Sequence, residues 1–235
     1  MIKNNPSVLN EISKSNRRKL LEHEAFELLA KYNIPSPPYG LAKTPIEAGE
    51  LSKKIGFPVV LKVVSLDISH KTDVGGVVLG VSSPEEAVKA FQEISENVRR
   101  KAPGARIEGV LVQKMVPKGL EVIIGGLRDP TFDVVVMFGL GGVFTEVLRD
   151  VTFRVWPFTK HDAMEMLNEL RGSVLLRGFR GMPAVNEESI ADIIVKFGKL
   201  LEDHPEIESA DLNPVIAYPN GSLVVDARFI LKPAI

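Results

Sequence analysis

"GFPVVLKVVSLDISHKTDVGGV", residues 56 to 77, joins a short apolar run to a polar loop and then returns to apolar residues. "VVLKVV" reads as a strand buried on most sides, and the run beyond Gly75-Gly76 reads as a second strand. Lys62 stands near the middle of the first strand; the loop carries Ser69, His70, Lys71 and Thr72. An ammonium flanked by valines is expensive to bury without an anion. A phosphate oxygen would serve, because lysine binds phosphate well as a point charge. The plainer alternative is an edge-strand lysine with its head in water. Hydroxyls, a second lysine and backbone N–H groups in a turn can wrap a polyphosphate, yet a polar turn between strands needs none of that. His70 is one of only four histidines. Ordinary phosphate cradles hold no such nucleophile, and an imidazole nitrogen can accept a phosphoryl group.

Upstream of this stretch, Leu20, Leu21, Ala25, Leu28 and Leu29 fall on one face of a helix that begins near Arg18. Residues 1 to 17 read as an arm or a short helix. Tyr39 to Ala42 form a short strand. Thr44 is an N-cap with Pro45 at the first helical position, and Gly56 and Pro58 end that helix. Ser83-Pro84-Glu85-Glu86 opens a helix that runs to about Lys101. Downstream, strands dominate through residue 158, followed by helices at about 160 to 170 and 187 to 202, the latter opened by Asn186. The pattern is α+β, a helix-and-strand front half and an antiparallel back half. The expected organisation is an arm over 1–17, a subdomain over 18–112 that carries the His70 loop, and a subdomain over 113–235.

At 235 residues, 45% hydrophobic and 25% charged, the chain can bury a substantial core and has an ordinary globular composition. A formal net charge of −1 sets up no global field, so neither nucleic acid nor a membrane surface is indicated as a partner. The absence of cysteine excludes disulfides and thiolate zinc sites. No targeting segment is evident and no stretch is long and apolar enough to span a bilayer; a soluble, cytoplasmic protein is the expectation. No GxxxxGK[ST], no GxGxxG after a strand and no kinase set is present, so a nucleotide would need another architecture.

"LVQKMVPKGLEVIIG" reads as an adenine hinge, with extended backbone at the purine edge, Val110, Val112 and Met115 as apolar walls, and Glu121 accepting from ribose hydroxyls. Two strands joined by a proline-glycine loop is the alternative. At the C-terminus, "SADLNPVIAYPNGSLVVDARFIL" is a hairpin. With Asn220-Gly221 as the two turn residues, Pro219 pairs with Ser222 and Asn213 faces Arg228. Asn213 and Asp226 then share one face as diagonal neighbours, about 7–8 Å apart at the backbone, close enough to share a Mg²⁺. Asp211 lies on the same face; a solvated polar face is the alternative. Gly139, Gly141 and Gly142 permit a tight turn or a ligand's approach, and Glu146, Arg149 and Asp150 beside them could pair or line a site. Gly75 and Gly76 would give the His70 loop freedom to move.

Taken in order, "GFPVVLKVVSLDISHKTDVGGV", "VLVQKMVPKGLEVIIGGLRDP", "MFGLGGVFTEVLRDVTFR" and "DLNPVIAYPNGSLVVDAR" resemble the ATP-grasp β subunits of ADP-forming acyl-CoA synthetases. The likeness is greatest to the acetyl-CoA synthetases, with succinyl-CoA synthetase β subunits as cousins. The resemblance implies an ATP-grasp fold, two α+β subdomains clasping a nucleotide. It implies nucleotide contacts from Lys62, Ser69, His70, Lys71, Gln113, Val116 and Glu121, and Mg²⁺ on Asn213 and Asp226. Succinyl-CoA synthetases carry a glycine-arginine-glycine loop where Ser69-His70-Lys71 stands, so His70 resembles the second phosphohistidine of the acetyl-CoA family. Its implied task is to relay phosphate from a histidine of a partner α subunit to ADP, making ATP. The CoA-binding domains are expected on that α chain, in an assembly of two α and two β subunits. Two rivals remain at this stage: an ATP-grasp carboxylate–amine ligase without phosphohistidine, and a non-catalytic nucleotide-sensing subunit.

Overall fold

The computed structural model describes residues 17–142 and 149–233. The expected arm up to residue 16, and Glu146, lie outside the described residues. In chain order the elements are α1 (Glu22–Lys31), β1 (Tyr39–Ala42), α2 (Pro45–Ile55), β2 (Val59–Val64), β3 (Val77–Val81) and α3 (Pro84–Lys101). Then come β4 (Gly109–Lys114), β5 (Leu120–Asp129), β6 (Asp133–Leu140), β7 (Val151–Val155) and α4 (Lys160–Glu169). The chain closes with α5 (Glu187–Asp203), β8 (Ile207–Tyr218), β9 (Gly221–Val224) and β10 (Ala227–Leu231).

The chain forms two compact units. The smaller holds Pro37–Pro117 and Leu21–His23; the larger holds Lys118–Ile235, Glu24–Ser36 and the segment ending at Leu20. Residues 24–36 thus leave the first subdomain, where the sequence reading puts them. The cause is backbone pairing: the Leu20 N–H donates to the Phe229 carbonyl (3.1 Å) and the Val224 N–H to that of Pro35 (2.9 Å). Helix α1 also starts later than expected. Arg18 to Leu20 lie outside the helix, with Lys19 bridged to Ile230 and the Leu231 N–H on the Arg18 carbonyl (2.9 Å). Leu20, Leu21, Ala25, Leu28 and Leu29 are all buried nonetheless.

The smaller unit is built on an antiparallel sheet in the order β1-β4-β2-β3. Side chains alternate across a strand, so Val59, Leu61, Val63, Val110 and Val112 share one face and pack with Ala87, Ile94 and Val98 of α3. The other face carries Val60 and Lys62, paired with Gln113 and Leu111, and Tyr39, paired with Gln113. Both covering helices begin as their sequences dictate. Thr44 and Ser83 each accept from the N–H three residues on (Glu47 at 3.2 Å, Glu86 at 3.1 Å), with proline in the first turn.

The larger unit is a six-stranded sheet, β10-β8-β5-β6-β7 with β9 also paired to β8. Buried Ile190, Ile194, Phe197 and Leu201 of α5 face it. Gly126 permits that approach, because a Cβ there would collide with Leu201. Asn186 caps α5 by accepting from the Ser189 N–H (2.9 Å). Among the described residues no helix is long and apolar enough to cross a membrane.

Candidate functional site

Lys62 sits in an inner strand, between β4 and β3, and is 7% exposed, so the water-facing alternative fails. Its buried ammonium has a protein counter-ion that sequence reasoning missed. Glu22 Oε1 accepts from Lys62 Nζ at 2.7 Å, and Glu22 Oε2 accepts from Lys71 Nζ at 2.5 Å. A signal was present: Glu22 lies four and seven residues before Phe26 and Leu29, both fully buried, and so occupies a core position of an amphipathic helix.

From this anchor the loop projects Ser69 and His70 to the surface. Its return is tightly built. The Gly76 N–H donates to the Lys71 carbonyl and the Val63 N–H to the Gly76 carbonyl, each at 2.7 Å. A Cβ on Gly76 would lie 2.5 Å from Val63 Cγ1, and Gly75 takes φ +66. These glycines are therefore required for close approach and a left-handed turn, where the sequence reading looked to them for mobility.

Gln113 shares the sheet face of Lys62, is 1% exposed, and its Nε2 has no hydrogen-bond acceptor. A buried amide nitrogen without an acceptor calls for an explanation, and a ligand supplies one. Two parts of the expected hinge need correction. Val110 and Val112 belong to the core beneath the sheet, so they wall no nucleotide. The N–H groups of Lys114 and Met115 are engaged by the carbonyls of Pro38 (2.8 Å) and Pro58 (3.0 Å). Val116 is half-buried just beyond them, and Glu121 is exposed on β5 of the larger unit.

The hairpin corrects a second expectation. Tyr218 pairs with Gly221 and Ala217 with Ser222, so Pro219-Asn220 form the turn and the register is displaced by two residues. Proline has no N–H to give a ladder; the observed turn places it where none is needed, and proline suits the first turn position. Farther along, Arg228 pairs with Asp211, and the Asn213 N–H donates to the Asp226 carbonyl at 3.1 Å. Asn213 and Asp226 thus stand directly opposite one another instead of diagonally. On the neighbouring strand Gly125 pairs with Asp211 and Glu121 with Ile216, with a register shift between Val122 and Ile124.

The side chains of Asp211, Asn213 and Asp226 interact. Burial lifts the Asp211 carboxyl above its ordinary value; a hydrogen bond with Asn213 pulls it down, and the Asp226 charge lifts it again against Arg228. Two carboxylates that repel, beside an amide, are an all-oxygen donor set that a hard divalent cation would relieve. Among the described residues no group of three or more histidine, cysteine, aspartate and glutamate side chains could hold a metal, so this candidate rests on two acids and an amide.

The ATP-grasp domain family model matches residues 11–231. The chain belongs to the ATP-grasp family. The β subunit of Pyrococcus furiosus acetate–CoA ligase [ADP-forming] I is 48% identical to it over 221 residues, 94% of this chain and 95% of that one. The structure of Candidatus Korarchaeum cryptofilum dinucleotide-forming acetyl-coenzyme A synthetase 1 with coenzyme A and Ca-AMPCP superimposes with a TM-score of 0.94 at 52% identity, over 96% of this chain and 98% of that one. A second structure of that enzyme holds coenzyme A and Mg-AMPPCP, with a phosphohistidine segment pointing towards the nucleotide-binding site. It gives a TM-score of 0.85 at 48% identity, covering 96% of this chain and 98% of that chain. The architecture of mixed helices and antiparallel sheets is thus the ATP-grasp fold that the sequence resemblance implies.

Other polar groups of this ATP-grasp chain have structural roles. Asp150, buried, accepts from the Arg171 and Gly172 N–H groups (2.9 and 2.8 Å) and anchors the end of α4. Arg149 beside it takes φ +50. Gly141 packs on Glu121, its N–H donating to the Glu121 carbonyl at 2.8 Å, so this glycine serves strand packing. His161 is exposed and pairs with Glu165, whereas His204 pairs with Glu206.

Proposed function

We propose that the chain is the nucleotide-binding β subunit of an ADP-forming acetyl-CoA (acyl-CoA) synthetase, a ligase for acyl-CoA + ADP + phosphate ⇌ carboxylate + CoA + ATP. The observation that carries the reading is the exposed imidazole of His70, one residue from an ammonium that shares a carboxylate with the buried Lys62. The β-subunit relative and the phosphohistidine segment of the Korarchaeum enzyme support it. The partner is an α subunit that binds CoA and carries its own phosphohistidine, in an assembly of two α and two β chains. In the ATP-forming direction the P–N bond on the partner's histidine breaks as a P–N bond to His70 forms. That second bond then breaks as a terminal β-phosphate oxygen of ADP takes the phosphoryl group, and the imidazole leaves free.

In this reading Lys62, Ser69 and Lys71 hold phosphate oxygens, Gln113 and Val116 meet the base, and Glu121 meets the ribose. Asn213 and Asp226 hold Mg²⁺, which when bound spreads the charge of the phosphates. Phosphoryl transfer depends chiefly on such positioning and charge stabilisation. The test is incubation of the chain with Mg²⁺ and [γ-³²P]ATP. Base-stable, acid-labile label on the wild type, absent from His70→Ala with nucleotide binding intact, is the expected result. No label on the wild type would favour direct acyl-phosphate formation at the nucleotide and end the relay.

A further inference from the structure

Among the described residues Glu22 is a buried acid to which the reading above gives no task. Its side chain is 5% exposed, and it touches two segments far away in sequence: Lys62 (8% exposed) of β2 and Lys71 (20% exposed) of the His70 loop. Each carboxylate oxygen takes one ammonium, at 2.7 and 2.5 Å. One carboxylate satisfies one buried lysine, so neutralising Lys62 alone would not require Lys71. The shared geometry does two further things. It lets two ammonium groups sit side by side against their mutual repulsion. It also fixes Lys71 by its side chain while the Gly76 N–H (2.7 Å) fixes it by its carbonyl, so the residue next to His70 is held at both ends.

We infer that Glu22 is a positioning residue for phosphoryl transfer: it sets the two lysines and the base of the His70 loop, without touching the nucleotide itself. The inference rests on the function proposed above. It makes a prediction that a purely structural role would not. The trio of Lys62, Lys71 and Glu22 carries a net charge of one; Glu22→Gln keeps the shape and leaves two positive charges facing the phosphates. Nucleotide should then bind more tightly while transfer slows, because the attraction grows and the alignment is lost. Loss of fold would lower both.

The experiment compares wild type, Glu22→Gln and Glu22→Asp as full chains. It measures Mg-ADP affinity by calorimetry, the initial rate of base-stable ³²P labelling from Mg-[γ-³²P]ATP, and the folded fraction by circular dichroism. Glu22→Gln should bind about threefold or more tightly and label at least about tenfold more slowly. Glu22→Asp keeps the charge but is one methylene short of spanning both lysines; its affinity should match wild type and its labelling should fall between the other two. Labelling of Glu22→Gln within twofold of wild type, or a joint fall of affinity and rate, overturns the inference. If Glu22→Gln does not fold, wild-type labelling by Glu22→Asp overturns it instead. A wild type that neither binds Mg-ADP nor takes label overturns the proposed function, and this inference with it.

Discussion

Replacing Lys62 by methionine separates what the ammonium does for the fold from what it does for a ligand. The side chain is buried and bonded to Glu22 at 2.7 Å. Deleting one partner of a buried ion pair costs about 3–5 kcal/mol when the other is stranded. Here Lys71 still holds the second oxygen of Glu22, so about 2 kcal/mol is expected, roughly 4–8 °C in Tm for a chain of this size. For the nucleotide, one charge-assisted hydrogen bond is worth about 1.5–3 kcal/mol, or roughly 10- to 150-fold in Kd. Calorimetric titration with Mg-ADP below the unfolding transition measures this directly. A Lys62→Met chain that is folded and binds within twofold of wild type would refute the assignment of Lys62 to phosphate.

Two further predictions concern the hairpin of the larger unit. Asp226→Asn should weaken the Mg²⁺ dependence of nucleotide binding by at least about 10- to 100-fold, the range seen when even an outer partner of a metal ligand is lost; a titration with Mg²⁺ at fixed nucleotide checks it. Asp211→Asn should stabilise the protein at neutral pH, because the raised Asp211 carboxyl is strained by burial and by the Asp226 charge. The sign follows from linkage: below the ordinary aspartate value both states hold the proton and the carboxyl has no effect. As pH rises from there through the raised native value, the unfolded chain releases the proton first, so wild-type stability falls. The stabilisation by Asp211→Asn should therefore grow across that window and vanish in acid, as read by urea unfolding over a pH series.

Much of the fold was legible because local signals agreed with tertiary ones. Thr44-Pro45, Ser83-Pro84 and Asn186 mark helix starts because a side-chain oxygen must satisfy a free N–H there. What failed was decided by distant partners. Arg18 to Leu20 carry helical periodicity, yet the open edge of β10 claims their backbone. Val110 and Val112 alternate with Leu111 and Gln113 in sequence, but only the location of α3 reveals that the valine face is the core. Glu22 carried the hardest signal to see. Its two lysines lie 40 and 49 residues away, and a single glutamate among leucines reads as an ordinary exposed helix residue until its face is known.

The hairpin shows which part of a sequence argument survives a wrong turn. Choosing Asn220-Gly221 over Pro219-Asn220 moves every cross-strand partner by two residues. A slip of one would send all side chains to the opposite face; a slip of two preserves the face. Asp211, Asn213 and Asp226 therefore remain together under either register, and only their spacing changes. The observed register is the better one for a cation, since directly opposed residues approach to about 4.5–5.5 Å at Cβ, while diagonal ones stay near 7–8 Å at the backbone. With ligand distances near 2.1 Å for Mg²⁺, short Asn and Asp side chains reach a common ion far more readily from opposed positions. The missing N–H of Pro219, which excludes the alternative ladder, is thus what brings these donors face to face.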